Sequence, residues 1–444
     1  MPLNTHHTSR CYFLRMTPHR LRHKGTSHAI AALWRVLFVA CSLLLGACGS
    51  GGGEPGTTSL SYRVPAGLVV KDLDGDGLDD VMLASSLVAG EPPHPGVVEV
   101  YLQTAPGLFG EPQQYAVGPD PWGLGAGDLN GDGWLDLVVA TPASLPVQVG
   151  ASSDSGGVSL LVQNPSDPGR FLPSVWLATG GAAQHAAISY LNNDALADLV
   201  VADGVLANAR ALVYVQNSSL PGTYAAPDVL VTGGLRGSRT VVTHDLNGDG
   251  RNDVVLAATD SVVVFYQLPL GGFGPALVMS AGLDVHGVAV ADLDGDGRAD
   301  IVAANAGNAA SGGTGGASLS ILRQTAPGAF ASTTLPLPDG ARQVAIADLN
   351  ADGLPDLAAI SLVYQAQNLP SYISVVLQSR TQRGQFSVYQ RLEGPMGANF
   401  LALGDANGDQ LTDIFVNDGP VVFLQSALSA GSFDAPRPLR SLGP

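Results

Sequence analysis

The residues of this chain best equipped for chemistry are carboxylates set two apart in a short glycine turn. The stretch beginning at Asp72 reads DLDGDGLDD, and the one beginning at Asp292 reads DLDGDGRAD. In such a turn Asp72, Asp74 and Asp76 point inward, the carbonyl of Leu78 joins them, and Asp80 closes the set. A compact all-oxygen donor set of this kind suits a hard divalent cation, and calcium most of all. Gly77 allows the positive-φ bend that would strain other residues.

The same turn recurs. Copies start at Asp72, Asp128 (DLNGDGWLD), Tyr190 (YLNNDALAD), Asp245 (DLNGDGRND), Asp292, Asp348 (DLNADGLPD) and Asp405 (DANGDQLTD), in steps of 56, 62, 55, 47, 56 and 57 residues. A helix–loop–helix calcium site is excluded, because position twelve of the first copy is Leu83 rather than Glu and the flanks are strand-like. The second set comprises Asp128, Asn130, Asp132, the Trp134 carbonyl and Asp136; the fourth comprises Asp245, Asn247, Asp249, the Arg251 carbonyl and Asp253. The fifth uses Asp292, Asp294, Asp296, the Arg298 carbonyl and Asp300. The sixth uses Asp348, Asn350, Asp352, the Leu354 carbonyl and Asp356, and the seventh Asp405, Asn407, Asp409, the Leu411 carbonyl and Asp413.

The copies differ in strength. The first and fifth carry four aspartates and should bind most tightly, whereas Asn130, Asn247 and Asn350 each remove one charge. Tyr190 and Ala195 break the third copy, which is expected to hold no ion, and Gln410 in place of Gly weakens the seventh. Four to six structural calcium ions are expected, each pinning two strands.

Each turn lies between short apolar segments, such as GLVV before Lys71 and LVVA from Leu137. A third strand follows in every unit (VVEVYLQ, VSLLVQ, ALVYVQ, SVVVFYQ, LSILRQ, YISVVLQ, PVVFLQ), then a weaker fourth after a Gly-aromatic turn. The near-identity of QTAPGLF (103–109) and QTAPGAF (324–330) marks internal duplication. Four β-rich strands in each of seven units predict an all-β fold, a seven-bladed β-propeller of four-stranded antiparallel blades over 60–444. Segments from both chain ends are expected to complete one closing blade. The repeats resemble the FG-GAP and VCBS family, which includes the propeller head of integrin α subunits and some fungal lectins. That resemblance implies a protein or glycan ligand.

The start of the chain reads differently. Arg20, Arg22, Lys24 and Arg35 precede an apolar run from Val36 to Leu45, too short for a membrane span, then Leu45-Gly46-Ala47-Cys48. This resembles a bacterial lipoprotein signal over 1–47, with Cys48 lipidated and 48–59 a flexible tether; Met16 is a second candidate start. A lipid anchor at Cys48 would hold the protein to a membrane. By the usual bacterial sorting rule, Gly49 points to the outer membrane of the cell envelope. Loss of 1–47 removes six basic and no acidic residues, leaving 15 basic against 38 acidic, a net charge of −23. Such a surface excludes nucleic acid as a partner. Twenty-two of those acids occupy turn positions, so the acidity reads as cation sites.

Partners should meet the face opposite the acidic turns, where the second-to-third strand loops vary: 141–157, 305–316, and a run with Tyr364, Gln365 and Tyr372. Blade four offers only Asp260 there. Six residues before each turn stand Ala66, Trp122, Gln184, Arg239, His286, Arg342 and Asn399. One per blade, they are expected at the central mouth, as a polar pocket for an acidic or sugar ligand. No G-x-S-x-G, HExxH or phosphate-cradling loop is present, and the chain is expected not to be an enzyme. A polysaccharide-acting enzyme, resting on His286 with Arg239 or Arg342, is the alternative, and a scaffold of an envelope complex is a third.

Overall fold

The computed structural model describes residues 62–88, 94–142, 156–192, 194, 196–205, 208–308, 315–361 and 370–442. The leader, Cys48, the tether, Ala195, Tyr364 and Gln365, and most of the loops at 141–157 and 305–316, lie outside the described residues.

Seven four-stranded antiparallel sheets follow one another along the chain among the described residues. Their first strands are Tyr62–Lys71, Gly123–Gly127, Ala183–Ser189, Val241–His244, Val285–Ala291, Ala341–Ala347 and Leu401–Gly404. Each first strand touches the first strand of the next blade, and the seventh touches the first. These strands therefore form a closed inner ring, and the blades radiate from it. The fold is the seven-bladed propeller expected from the repeats.

The core lies between blades. In the second strand of blade two, Leu137 and Val139 pack toward blade one, while Val138 and Ala140 pack toward blade three, all four fully buried. Alternate residues thus face opposite neighbours, which is why each second strand is a continuous apolar run. Seven such clusters tile the ring, the last joining Phe415 and Val422 to Val81 and Tyr101.

Closure departs from the expectation. Every blade is built from one contiguous segment: the first from Tyr62 to Val117, the seventh from Leu401 to Pro438. The ends are stitched by contacts rather than by a shared sheet. Asn417 donates to the Ala66 carbonyl at 3.0 Å, and the Asp405 amide donates to Asp79 Oδ2 at 2.8 Å. The local 55-residue unit satisfies its own four strands, so no strand remains to be exchanged.

A glutamine ends each third strand, and in six blades it fastens the neighbouring blade, whereas Gln378 bonds only within its own among the described residues. Gln163 Nε2 donates to the Leu135 carbonyl of its own turn at 2.8 Å and to the Leu73 carbonyl of the preceding blade's turn at 3.1 Å. Its Oε1 accepts from the Gly169 amide at 2.7 Å. Gln216 and Gln324 repeat the pattern on Leu129 and Leu246. Gln163→Ala would leave two buried carbonyls and an amide unpaired, at about 1–3 kcal/mol for each group. Urea denaturation should show a loss of about 2 kcal/mol or more, and an unchanged midpoint would remove the glutamine from the inter-blade link.

Candidate functional site

The acidic turns lie between first and second strands. In the first turn Asp72 Oδ1 accepts from the Gly75 amide at 2.8 Å, and Oδ2 from the Gly77 amide at 2.9 Å. Both glycines have positive φ, 79° and 87°, so two left-handed residues rather than one make the bend. The last aspartate is buried. Asp80 accepts from the Leu73 amide at 2.9 Å and the Gln103 amide at 2.7 Å. Asp136, Asp198, Asp253, Asp300, Asp356 and Asp413 make the same pair of bonds to their own turn and third strand.

Do these residues fit a cation? Carboxylate oxygens of Asp72, Asp74 and Asp80 lie within 4.8 Å of one another, as do those of Asp292, Asp294 and Asp300, and of Asp348, Asp352 and Asp356. Asp294 Oδ1 and Asn350 Oδ1, both at the third position, are buried acceptors with no donor. Convergent carboxylates and orphaned oxygens fit a hard divalent cation. Asp76 and Asp296 are exposed and stand outside these clusters.

The copies are unequal in ways the letters did not show. Arg298 ion-pairs with Asp296 of its own turn, and Arg323 lies 3.8 Å from Asp294. The fifth turn is therefore partly neutralised, whereas the first turn has no such partner among the described residues. Arg251 on Asp249 and Arg380 on Asp352 do likewise for the fourth and sixth turns. Asn130 and Asn407 turn their amides onto Asp132 and Asp409, at 3.0 and 3.1 Å. In the third turn Tyr190 is exposed and Asn192 donates to Asp194 at 3.0 Å. Gln410 takes φ 66° and keeps the glycine's bond to Asp405 Oδ2 at 2.8 Å, so the seventh turn closes at the cost of a left-handed non-glycine residue.

Burial, opposed by the two amide bonds and reinforced by nearby carboxylates, pushes Asp80 and Asp413 up to about 7. The same causes push Asp136, Asp253, Asp300 and Asp356 up to about 6. A carboxylate raised on folding contributes stability that is complete below its unfolded value near 4 and lost as pH rises through 6 to 7. A bound cation reverses this, because it binds the ionised form. The metal-free protein should melt at lower temperature at pH 7.5 than at pH 5, and added calcium should raise the melting temperature more at pH 7.5. Equal calcium increments at both pH values would detach these carboxylates from cation binding. Gln410→Gly should add about 1 kcal/mol by relieving the left-handed backbone, read from calcium-free urea curves.

A second site lies on the axis. A cavity of about 150 Å³ is lined by Trp122, Gln184, Arg239, His286 and Arg342, five of the six polar or aromatic side chains expected at the mouth. Its shape follows from the strands. Pairing registers shift between Ala183 and His185, between Val285 and Gly287, and between Ala341 and Gln343, which puts Gln184, His286 and Arg342 at β-bulges. A bulge re-aims a side chain that the regular pleat would direct elsewhere. The inner strands also crowd together there: a Cβ on Gly123 would stand 2.6 Å from the Gln184 carbonyl oxygen.

Asn399 does not line the cavity. It is 6% exposed, its Nδ2 donates to the Gly397 carbonyl at 2.8 Å, and its amide donates to Asn417 Oδ1 at 2.9 Å. Phe400 takes its place in the wall, and Gly67 replaces Ala66. Phe400, Asp284 and Gln343 escape a count of six because they sit one or two positions off that phase.

Arg342 lies between aromatic rings, its guanidinium carbon 4.6 Å from the Phe400 centroid and 4.9 Å from that of Trp122. Burial and the nearby Arg239 push it down to about 10, so it stays cationic at neutral pH. Arg239 donates to Asp284 Oδ1 at 2.7 Å and also meets the His286 ring. His286 Nε2 lies 3.1 Å from Asp284 Oδ2. Burial pushes His286 down to about 4 against the pull of Asp284, and the two arginines push the same way, so the imidazole is neutral. Asp260 Oδ1 accepts from the Asp284 amide at 2.7 Å, which fixes the loop behind this group. Tyr372 is covered elsewhere, with Arg391 3.4 Å above its ring.

Known proteins resemble both the repeat and the whole ring. A family model described as an FG-GAP-like repeat matches residues 72–139 and 245–303, and one described as an FG-GAP repeat matches 121–161. Integrin alpha-8 of Homo sapiens is 31% identical over 140 residues, 28% of this chain and 12% of that protein. Integrin alpha pat-2 of Caenorhabditis elegans is 32% identical over 126 residues, 24% of this chain and 10% of that protein. The chain thus spans about a tenth of the length of these relatives. Among solved structures, an Agrocybe aegerita lectin that recognises non-reducing terminal N-acetylglucosamine aligns with TM-score 0.50 and 18% identity, over 85% of this chain and 95% of that one. A Bacillus licheniformis rhamnogalacturonan lyase aligns with TM-score 0.46 and 14% identity, over 80% and 70%.

The expectation that the chain is not an enzyme is corrected by these neighbours. Rhamnogalacturonan lyases are among the structures that align with this chain, at 13–14% identity. Activity resides in side chains grafted onto a fold. The lyases' distance from this chain lends it no activity of theirs.

Proposed function

We propose that this chain, a seven-bladed propeller carrying FG-GAP repeats, is a calcium-stabilised binding module that presents its axial mouth to a protein or glycan. The observation that carries the reading is the asymmetry of the ring. On one side the acidic turns repeat one backbone pattern tied to the scaffold; at the axis, bulged strands bring together polar, cationic and aromatic side chains that differ from blade to blade. Calcium is the ion best suited to the all-oxygen turns, at four to six per chain, with a stabilising role. With Cys48 lipidated, the module would be held at the bacterial envelope, on the outer membrane, and would serve adhesion or recognition there.

A second reading rests on one observation: His286 is a neutral imidazole held by Asp284 beside a cationic wall. That is the state a general base requires. A polysaccharide-acting enzyme would use it against a proton of a bound sugar.

Two measurements test the reading. Metal analysis of the purified 49–444 protein after dialysis should find four to six calcium ions, and replacing Asp292 and Asp296 with Ala should remove one; a calcium-free folded protein would overturn the cation assignment. A screen of the same protein against glycans, envelope polymers and envelope proteins in calcium should show retention. Retention without products supports a binding module, whereas product release lost on His286→Ala would make the enzyme reading the correct one. No retention of any class would overturn both.

A further inference from the structure

Among the described residues the walls of the axial cavity contain no acidic side chain, although the chain has 38 acidic and 21 basic residues. Two arginines reach it. Arg239 is compensated by Asp284, which stands behind it and outside the cavity wall. Arg342 has no ion pair and no hydrogen bond among the described residues; only the faces of Phe400 and Trp122 hold it. A guanidinium has five donors, and because Arg342 is half-buried they open to the cavity. The cavity thus carries one uncompensated positive charge, with unmet donors aimed at its contents.

The other walls narrow the choice of anion. Gln343 Oε1 is used by the Leu401 amide at 2.9 Å, which fixes its amide group and leaves the NH₂ as a donor in the cavity wall. Gln184 adds a second amide, and Trp122, 41% exposed, adds an indole face. A space of about 150 Å³ equals, on a comparable measure, one that accepts a single benzene-sized ring. An inorganic anion would leave the amides and the indole without a role. A linear acidic side chain would leave the ring-sized volume empty.

We infer that the axial cavity binds the carboxylate of a single sugar-acid ring, the uronic acid terminus of a glycan, with Arg342 as the principal contact to the carboxylate. The inference rests on the reading of the mouth as a binding site and specifies its ligand. In this arrangement the guanidinium presents its fork to the two carboxylate oxygens. The aromatic rings on its faces keep that fork in plane. The amides of Gln184 and Gln343 meet ring hydroxyls, and Trp122 covers the sugar's apolar face.

The experiment is calorimetric titration of the calcium-loaded protein with glucuronate, galacturonate, glucose, galactose and acetate. The uronates should bind, and the neutral sugars should bind roughly tenfold to hundredfold more weakly, the range expected for a lost charge-assisted hydrogen bond. Arg342→Met should abolish the preference for the acid, with folding checked by an unchanged melting temperature. Trp122→Ala, at an exposed position, should weaken uronates and neutral sugars alike. Equal affinity for glucose and glucuronate would overturn the inference with the native protein alone. So would acetate binding as tightly as the uronates, which would mark a plain anion hole, and so would an acidic peptide competing more strongly than either. Retention on a glycan or protein surface that survives Arg342→Met and excess uronate would leave the binding-module reading intact and remove the uronate from it.

Discussion

A buried carboxylate at the end of each acidic turn is the constraint from which this propeller follows. Asp80, Asp136, Asp198, Asp253, Asp300, Asp356 and Asp413 are at most 1% exposed, and each receives one amide from its own turn and one from the third strand of its blade. Those two bonds fix the hairpin, the third strand and the glutamine that ends it. In six of the seven blades the glutamine then reaches the turn of the preceding blade. Seven repetitions of one short-range arrangement, packed on one another through the apolar clusters between blades, close the ring without a shared strand. An unpaired charge at this depth would destabilise the fold severely. Here two amide donors on each carboxylate offset part of that cost.

That arrangement divides the labour of the two faces. The turn face is committed: its glycines, carboxylates and glutamines satisfy one another, and a change in any of them is felt across a blade boundary. The opposite face inherits a rigid ring and few obligations. Bulges at Gln184, His286 and Arg342 interrupt the pleat where the inner strands begin, and the glycines beside them let the strands approach. Side chains that would otherwise serve packing are released toward the axis. A site built on strands held from both sides is more sharply positioned than one built on loops.

Much of this was legible in the sequence, because periodic patterns encode local structure well. The turn carries its own chemistry in its letters, and the apolar runs around it fix four strands per blade. The count of six residues found most of the axial cavity because each turn is a fixed distance from the strand it ends. It failed at Asn399, where Asn417 captures the backbone and Phe400 takes the wall. That substitution depends on a contact between strands, not on spacing. The closure of the ring is hidden for the same reason: whether a terminal strand pairs locally or across the ring is decided by contacts that no repeat displays. The glutamine at the end of all seven third strands was visible as a letter. Its role was not, since it links residues about 80 positions apart.

Electrostatics ties the two faces together. The turns concentrate negative charge on one side, while the axis holds Arg342 without a carboxylate and Arg239 with one. In salt near physiological strength, exposed turn charges are screened over roughly 8 Å. The cavity is partly enclosed and shielded less, so the local sign governs what enters it. Neutralising the turns with divalent cations would reduce the repulsion an approaching anionic polymer meets from the acidic face, leaving the axial arginine as the dominant charge it sees. Cation binding by the turns and a cationic mouth would in that sense act together, because ions held in the turns would also remove charge that opposes an acidic ligand.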